Sequence, residues 1–534
     1  MAKKKKTEDK VVPLEQVLWD CRVALRGVGS TEKNRDAVIS LVFLKFASDK
    51  FEKRHEELKA KYADVPEKIW DKPSFYNEVN VFYLEEKDRW NYITKNSSKT
   101  DIAVTIDNAM KNIMDKNTAL KGALPNGLFV TLGGDASNLK NLIDNIDKID
   151  SKRFGEEDLI GRVYEYFLRA YAASGNKDDG EFYTPSTVVK LIAELIEPYS
   201  GTVYDPCCGS GGMFVQSLKF VDKHKGDRKN VSIVGQESAP ETWRLCKLNL
   251  AARGIGFDLG KVAASTFTND QHKAKKVDFI MANPPFNLKK WRKEDELTDD
   301  HRFKGYGGVM PPVSNANYAW IEHMLSKLDV NHGIAGFLLA NGALNAGDDE
   351  GIIRKHILEK DRVEAIIVLP REMFYTTDIS VTLWILNMNK GARTFNGRQL
   401  RDRRGEVLFM DLRTWNDQIS TFTADKNKKK KSVIFTDEQI SKVKEVLTAW
   451  QGKDRTKYRD VPEFCHSVNI QEIREKNYSL APSKYITFID HDMAINYSEE
   501  MKRIQSEMTN ILSREKESQA MLENAFRGIG YEIG

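Results

Sequence analysis

From about residue 200 onward, short apolar runs alternate with stretches of helical periodicity, and this alternation limits the folds open to the chain more than any other feature. Strands that alternate with helices predict an α/β fold with a doubly wound, mostly parallel sheet. The last run follows the fifth so closely that we expect an antiparallel hairpin at the sheet edge. The runs are Thr202–Tyr204, Val231–Val234, Val277–Met281, Ile334–Leu339, Val363–Leu369 and Val381–Met388.

The segments before and after this core have helical patterns. Apolar residues recur at helical spacing between Leu14 and Leu58, with a helix start at Ser30-Thr31-Glu32-Lys33. We therefore expect a helical domain over residues 1–150, an α/β domain over residues 151–455 and a helical tail over residues 456–534. Further helical patterns cover Asp101–Asn112, Asn138–Ile149, Thr436–Trp450 and Asp492–Phe526, whereas the sequence between Asn389 and Ser432 is polar.

Charge and cysteine content exclude several classes of protein. Lys and Arg number 82 against 78 Asp and Glu, a net charge of +4, so the chain is not a strongly basic nucleic-acid coat. Five cysteines without a CxxC motif indicate a reducing compartment, and we expect a cytoplasmic protein. No histidine–cysteine cluster has metal-ligand spacing, and no apolar run is long enough to span a membrane. We expect neither a bound metal nor a membrane.

A glycine-rich turn follows the first apolar run, in Asp205-Pro206-Cys207-Cys208-Gly209-Ser210-Gly211-Gly212. Glycines at the carboxyl end of a strand let the backbone approach a ligand closely. The second run leads to Glu237, an acid that suits the hydroxyls of a ribose. The turn departs from GxGxxG because Phe214 replaces the last glycine. A dinucleotide, adenosylmethionine or no ligand would each be consistent with it; Asp205, which can hold a cationic amine, favours adenosylmethionine.

The third run ends in Asn283-Pro284-Pro285-Phe286. Two prolines end the strand and stiffen the loop. The Asn283 carboxamide and the Pro284 carbonyl are acceptors for the two hydrogens of an exocyclic amine, and Phe286 offers a flat face for a planar base. Since a conjugated amine is a poor nucleophile, positioning and electrostatics would have to supply the catalysis.

Three motifs in this order carry a resemblance to a known family: Gly180-Glu181-Phe182-Tyr183-Thr184-Pro185, the glycine turn, and Asn283-Pro284-Pro285-Phe286. Together they resemble the modification (methyltransferase) subunit of Type I restriction-modification systems, a γ-class DNA adenine-N6 methyltransferase. The resemblance implies a Rossmann-like adenosylmethionine-dependent core, preceded by a helical domain and followed by a helical tail. It implies S-adenosyl-L-methionine as cofactor and methyl transfer to N6 of an adenine flipped out of double-stranded DNA.

The resemblance also implies roles for individual residues. The methionine end of the cofactor would be lined by Glu181, Phe182, Tyr183, Thr184, Pro185 and Ser186. The rest of the cofactor would be held by Asp205, Gly209, Ser210, Gly211, Gly212 and Glu237. The target adenine would be held by Asn283, Pro284, Pro285 and Phe286, with Phe374 on its other face. Asp270 is a candidate for the contact with the cofactor's adenine.

Basic segments have two interpretations. Lys289, Lys290, Arg292 and Lys293 directly follow the proposed catalytic turn and could hold DNA phosphates, or they could form a solvated loop. Lys428–Lys431 is expected to be a surface loop.

Because no DNA-reading module is recognisable, sequence recognition would belong to a separate specificity subunit, with Asp492–Phe526 as the candidate docking segment. Further partners implied are a second copy of the chain, in a complex of two modification subunits with one specificity subunit, and a restriction (nuclease-motor) subunit. The alternatives are a methyltransferase acting on cytosine N4 or on RNA, and a non-catalytic assembly partner.

Overall fold

The amphipathic pattern of the first 150 residues folds into packed helices. The computed structural model describes residues 13–149, 159–172, 184–374, 379–425, 428–489 and 497–528. The predicted start at Ser30 is confirmed, since its hydroxyl accepts the Lys33 amide at the beginning of the second helix. The helices are α1 Leu14–Ala24, α2 Thr31–Lys61, α3 Glu67–Trp70, α4 Pro73–Asn77, α5 Trp90–Lys95, α6 Ile102–Lys116, α7 Leu128–Thr131, α8 Ala136–Asp147 and α9 Leu159–Ala172.

A nine-stranded sheet forms the centre of the molecule, as the alternating pattern predicts. Its strands are β1 Gly201–Asp205, β2 Val231–Gly235, β3 Phe257–Asp258, β4 Phe279–Ala282, β5 Ile334–Ala340, β6 Val363–Val368, β7 Val381–Asn387, β10 Glu406–Asp411 and β13 Cys465–Asn469. Their order in the sheet is β13-β10-β6-β7-β5-β4-β1-β2-β3. Two small two-stranded sheets are separate from it: β8 Arg393–Phe395 with β9 Arg398–Leu400, and β11 Ile419–Asp425 with β12 Lys428–Val433.

Helices cover both faces of the sheet, which explains why its strands are almost continuously apolar. These helices are α10 Ser186–Ile196, α11 Gly212–Lys223, α12 Pro240–Ala252, α13 Asn317–Lys327, α14 Asp348–Glu359, α15 Asp437–Gln451 and α16 Ile470–Glu475. One core lies between the sheet and α10, α11 and α15, and a second lies on the face that α13 and α14 cover. Helix α12 also contributes Leu245 and Leu248 to the core of the N-terminal helices, so these helices pack directly on the α/β core.

The antiparallel pairing of β6 with β7 is confirmed, but the hairpin does not lie at the edge of the sheet. Strand β7 also pairs antiparallel with β5, and β10 adds parallel to the far side of β6. The antiparallel strand at the edge is β13, which pairs with β10. The sheet extends further than expected because the stretch between Asn389 and Ser432, which is polar on average, contains one short buried apolar run, Val407–Met410.

The chain divides into two compact units, Met1–Ile486 and Thr487–Gly534. The first contains the N-terminal helices, the sheet and the helices around it. The second contains one long helix, α17 Tyr497–Gly528, which confirms the helical pattern in this region. Residues 492–496 of the predicted segment lie outside the described residues. Within the described part of the chain, no helix has the length and apolar character needed to cross a membrane.

Candidate active site

Strand β1 ends at Asp205, and the glycine turn connects it to the first residue of α11, Gly212. Gly209 and Gly211 have φ angles of +53° and +85°, in the left-handed region that side chains disfavour. At Gly211 a Cβ atom would also lie 3.0 Å from Sγ of Cys246 in α12. The turn therefore needs glycine at Gly211 for two independent reasons, its conformation and its close packing.

Hydrogen bonds fix the turn from two sides. The Gly209 amide donates to Oε2 of Glu237 at 3.0 Å, while Oε1 of Glu237 accepts the amides of Ser238 (2.7 Å) and Ala239 (2.9 Å). On the α12 side, Nδ2 of Asn249 donates to the Ser210 carbonyl at 2.7 Å. The acid at the end of β2 thus lies directly against the turn. Asn249 was not predicted as a site residue; the available signal was a polar residue at a buried position of an otherwise apolar helix face.

Asp205 is 2% exposed, and Oδ1 of its carboxyl group accepts the Cys207 amide at 3.0 Å. Burial raises the pKa of Asp205 to about 7, and the nearby charge of Glu237 also acts to raise it. A buried carboxylate in this state gains from a cationic ligand. The ammonium group of adenosylmethionine is such a ligand, so this donor set fits the cofactor.

Asn283 follows β4, which pairs with β1 in the sheet. In open α/β sheets, ligands bind outside the carboxyl ends of the strands. Asp205 and Asn283 therefore lie side by side at the carboxyl edge. Both line one cavity, together with Glu165, Thr184, Ser186, Val189, Cys207, Cys208, Gly209, Ser210, Gly212, Met213, Val215, Gln216, Lys219, Asn249 and Arg253.

The two ends of the Asn283 carboxamide have different surroundings. Its Nδ2 donates to Oγ1 of Thr184 at 2.9 Å. Its Oδ1 is buried and has no hydrogen-bond partner among the described groups. A buried acceptor without a partner costs about 1–3 kcal/mol, so such an atom calls for a ligand donor.

The aromatic residues predicted to hold the base are close together. The rings of Phe286 and Phe374 have centroids 6.4 Å apart and lie edge to face at 82°. Pro284 is buried, and Pro285 is half-buried. After Phe286 the backbone turns at Asn287, which exchanges two hydrogen bonds with Asn317 of α13, at 3.0 and 2.8 Å. This asparagine pair anchors the loop on the sheet's helical layer.

The segment predicted to line the methionine end is described only in part. Glu181, Phe182 and Tyr183 lie outside the described residues, so their placement stays a prediction. Pro185 precedes α10, and Ser186 is the first residue of that helix. Thr184 and Ser186 both line the cavity, at the point where α10 begins.

The basic segment after the catalytic turn is engaged with its own loop. The Arg292 guanidinium donates to the carbonyls of Lys293 (2.8 Å) and Glu294 (2.7 Å), and the buried Trp291 indole donates to the Pro312 carbonyl at 2.8 Å. Lys289, Lys290 and Lys293 are exposed.

Asp270 lies away from the cavity lining. Its carboxylate is buried 2.5 Å from Nζ of Lys327 and 3.8 Å from Nη1 of Arg302.

This fold and site define an adenosylmethionine-dependent methyltransferase with an Asn-Pro-Pro-Phe loop. The chain matches the family model "N-6 DNA Methylase" over residues 155–493 and the model "HsdM N-terminal domain" over residues 14–146. It belongs to the N-6 DNA methylase family, as one of its Type I restriction enzyme methylase subunits. It is an adenine-specific DNA methyltransferase with S-adenosylmethionine as its methyl donor.

Similar proteins agree with this assignment, and a solved structure agrees with the fold. The chain is 39% identical to the Type I restriction enzyme HindI methylase subunit of Haemophilus influenzae, over 81% of this chain and 93% of that protein. It is 31% identical to the MjaIX methylase subunit of Methanocaldococcus jannaschii, over 97% and 91%. A type I methyltransferase subunit from Streptococcus thermophilus shares the fold, with a TM-score of 0.70 at 22% identity over 88% of this chain and 98% of that one.

Proposed function

We propose that Asn283 and the Pro284 carbonyl hold the amino group of an adenine that has left the DNA duplex, beside a cofactor held by the glycine turn. The observation that carries this proposal is the buried, unpartnered Oδ1 of Asn283, in a cavity shared with Asp205. S-adenosylmethionine supplies an electrophilic methyl group when bound. Asp205 and Ser186 line the cavity, and Asp205 would bind the ammonium group. Glu237, which lies against the glycine turn and is not part of the described cavity lining, would bind the ribose hydroxyls.

The chain's own residues would activate the amine by position. Asn283 cannot remove a proton, but its Oδ1 and the Pro284 carbonyl can accept both N6 hydrogens. Accepting them orients the nitrogen lone pair and stabilises the positive charge that develops on N6 during transfer; the proton that the methylated N6 then loses passes to water. Adenine N6 is engaged in base pairing in the duplex, so the base must flip out to reach a buried acceptor.

Phe286 and Phe374 provide the apolar surface for the flipped base. Their edge-to-face arrangement lets a base stack on one ring while the edge of the other contacts it; stacking on both faces requires a rotation of one ring. Phe374 is buried, at 5% exposure, in the core cluster against which Phe286 packs.

The test separates the two halves of the site. We expect Asn283→Ala to lower the rate of methyl transfer about 100-fold or more, in line with the loss of one group from a preorganised charge-stabilising site, while cofactor affinity is retained. Asp205→Ala should instead abolish cofactor binding. Asn331→Ala, in the exposed turn before β5, is the matched control and should behave as the wild type. Normal methylation by Asn283→Ala would refute the proposal.

We further propose that α17 docks the chain on a specificity subunit, which selects the DNA sequence. The helix exposes apolar residues at helical spacing, each more than a third exposed: Met501, Ile504, Met508, Ile511 and Leu512. A stripe of this kind on a charged helix suits packing against helices of a partner. Two copies of the chain on one specificity subunit would form the modification complex, to which a restriction subunit can add.

Docking is tested by co-purification with the specificity subunit. We expect Ile504→Asp with Ile511→Asp to abolish it and to leave cofactor binding intact. Ser506→Asp with Ser513→Asp, on the other side of the helix, adds the same charge and should not. An intact complex with the isoleucine variant would exclude α17 as the docking helix.

We also propose the cytoplasm as the site of action. The substrate is cellular DNA, and all five cysteines are free thiols, which suits a reducing compartment.

A further inference from the structure

The β11–β12 hairpin carries a run of positively charged residues on one strand. The first four residues of β12 are lysines, Lys428–Lys431, and the only acid in the sequence of the two strands is Asp425, which lies opposite Lys428 in the register. The sequence alone predicts a surface loop here. The structure shows a paired strand instead, since Lys431 lies opposite Thr421 and Val433 opposite Ile419.

The end of this hairpin at Val433 is fixed next to the loop that carries Phe374. The Val433 amide donates to the Glu372 carbonyl at 2.9 Å, two residues before Phe374. Val433 is 4% exposed and the following Phe435 is 3% exposed, so the strand ends in the core of the molecule. Lys431, two residues from this anchor, is already exposed. The strand that carries the lysines is therefore attached directly to the loop that carries Phe374.

The other strand lies against the cofactor side. Strand β11 packs on α9, the helix whose Glu165 lines the cavity. The end of the hairpin at Val433 thus lies between α9, which lines the cofactor cavity, and the loop that carries Phe374. A DNA duplex whose adenine lies between Asn283 and Phe374 would approach the loop of Glu372 and Phe374, to which Val433 is hydrogen-bonded.

The basic segment Lys289–Lys293 is a weaker candidate for binding DNA phosphates. Its Arg292 guanidinium donates to three carbonyls of its own loop, those of Lys293, Glu294 and Pro311. An arginine held in this way is fixed for the loop's own structure, and fewer of the segment's cations can turn to a phosphate.

We propose that Lys428–Lys431 bind the sugar–phosphate backbone of the duplex beside the target adenine. This inference rests on the proposed function, because it assumes that the adenine enters at Asn283. A strand of six residues spans about 20 Å, and DNA carries about one negative charge per 1.7 Å, so one strand faces many phosphates. Backbone contacts carry no sequence information, which suits a chain whose target is chosen by another subunit.

The test replaces all four lysines by glutamine in the full chain, assembled with its specificity subunit. Each lost phosphate contact should flatten the slope of log affinity against log salt by about 0.9, so we expect a change of about 2–4 and a KM for DNA at least tenfold higher. The rate at saturating DNA and the cofactor affinity should not change. Lys3–Lys6→Gln removes the same number of charges elsewhere and should leave the slope within about 0.5 of the wild type.

Two results would overturn the proposal: an unchanged salt slope in a complex that unfolds at the wild-type temperature, or loss of the specificity subunit, which would make the hairpin a protein-docking surface. Lys431→Glu, a single exposed change, is a second variant if the quadruple one does not fold, and it should raise the KM for DNA without changing kcat. DNA affinity is measured separately from methyl transfer. If the lysines do not bind DNA, the salt slope stays unchanged; if Asn283 does not hold the adenine, the methyl-transfer rate of Asn283→Ala stays unchanged.

Discussion

Oγ1 of Thr184 accepts a 2.9 Å hydrogen bond from Nδ2 of Asn283. This contact joins the segment predicted to line the cofactor to the loop proposed to hold the target amine. By engaging Nδ2, Thr184 leaves Oδ1 as the end of the carboxamide that is free for a donor. The orientation of the amide, on which the proposed chemistry depends, is thus set by a residue 99 positions earlier in the chain.

Replacing Thr184 by valine should separate these roles. Valine keeps the shape but removes the acceptor, so the Asn283 amide loses the partner that orients it. We expect kcat to fall about 10–100-fold while the dissociation constant for the cofactor changes less than about threefold. Thr184→Ser keeps the hydroxyl and should restore most of the rate. A weaker cofactor complex with an unchanged kcat would instead assign Thr184 to the cofactor alone.

Asp205 predicts a pH dependence of stability. Burial raises the pKa of Asp205 from 3.8 to about 7 in the folded chain, so the folded state binds more protons than the unfolded state between these values. Stability contributed by this group therefore falls as pH rises from about 4 to 7 and is constant above. Asp205→Asn removes the penalty and should raise the free energy of unfolding of the cofactor-free protein at pH 8, by up to about 4 kcal/mol.

The measurement is urea unfolding of both proteins at about pH 5, 6, 7 and 8. The difference between variant and wild type should grow with pH and level off above about 7, and the variant should bind adenosylmethionine more weakly at about pH 8. A difference that does not depend on pH would mean that the Asp205 carboxyl is not perturbed by burial.

Gly211 and Gly212 form a matched pair. Gly211 has φ +85° and its Cβ would lie 3.0 Å from Cys246, whereas a Cβ on Gly212 meets no atom within 4 Å and its φ is ordinary. We expect Gly211→Ala to lower the free energy of unfolding by about 1–3 kcal/mol and Gly212→Ala to change it by less than about 0.5 kcal/mol. Urea unfolding without cofactor checks both; equal effects would contradict the packing of the turn on α12.

Local patterns predicted the parts of the fold whose signals are local. The apolar runs around residues 202, 231, 279 and 334 became strands, and Ser30 and Thr436 became helix caps, because strand and helix starts depend on neighbouring residues. Strand β10 was missed, since four apolar residues among charges carry no periodicity that separates them from a loop. Its burial comes from β6 and β13, which are distant in the chain.

The site divides in the same way. Asp205 and Asn283 could be placed together from the sequence, because each follows a strand of one parallel sheet. The contacts of Asn249 with Ser210 and of Thr184 with Asn283 could not, because side chains far apart in sequence meet only after the helices have packed.

Asp270 and Lys327 provide the last prediction. Their side chains are 2% and 3% exposed with Oδ2 and Nζ 2.5 Å apart, and Nζ also donates to the His272 carbonyl at 2.7 Å. Burial lowers the pKa of Lys327, so its charge depends on this carboxylate. Removing one partner of a buried pair leaves an uncompensated charge, so Asp270→Asn should lower the free energy of unfolding by about 3–5 kcal/mol. Adding Lys327→Met should recover part of this loss, with a coupling above about 1 kcal/mol in a double-mutant cycle.

Because Asp270 is absent from the cavity lining, the folded Asp270→Asn protein should bind adenosylmethionine within about threefold of the wild type; a complex about tenfold weaker at unchanged stability would instead restore Asp270 as a contact of the cofactor's adenine.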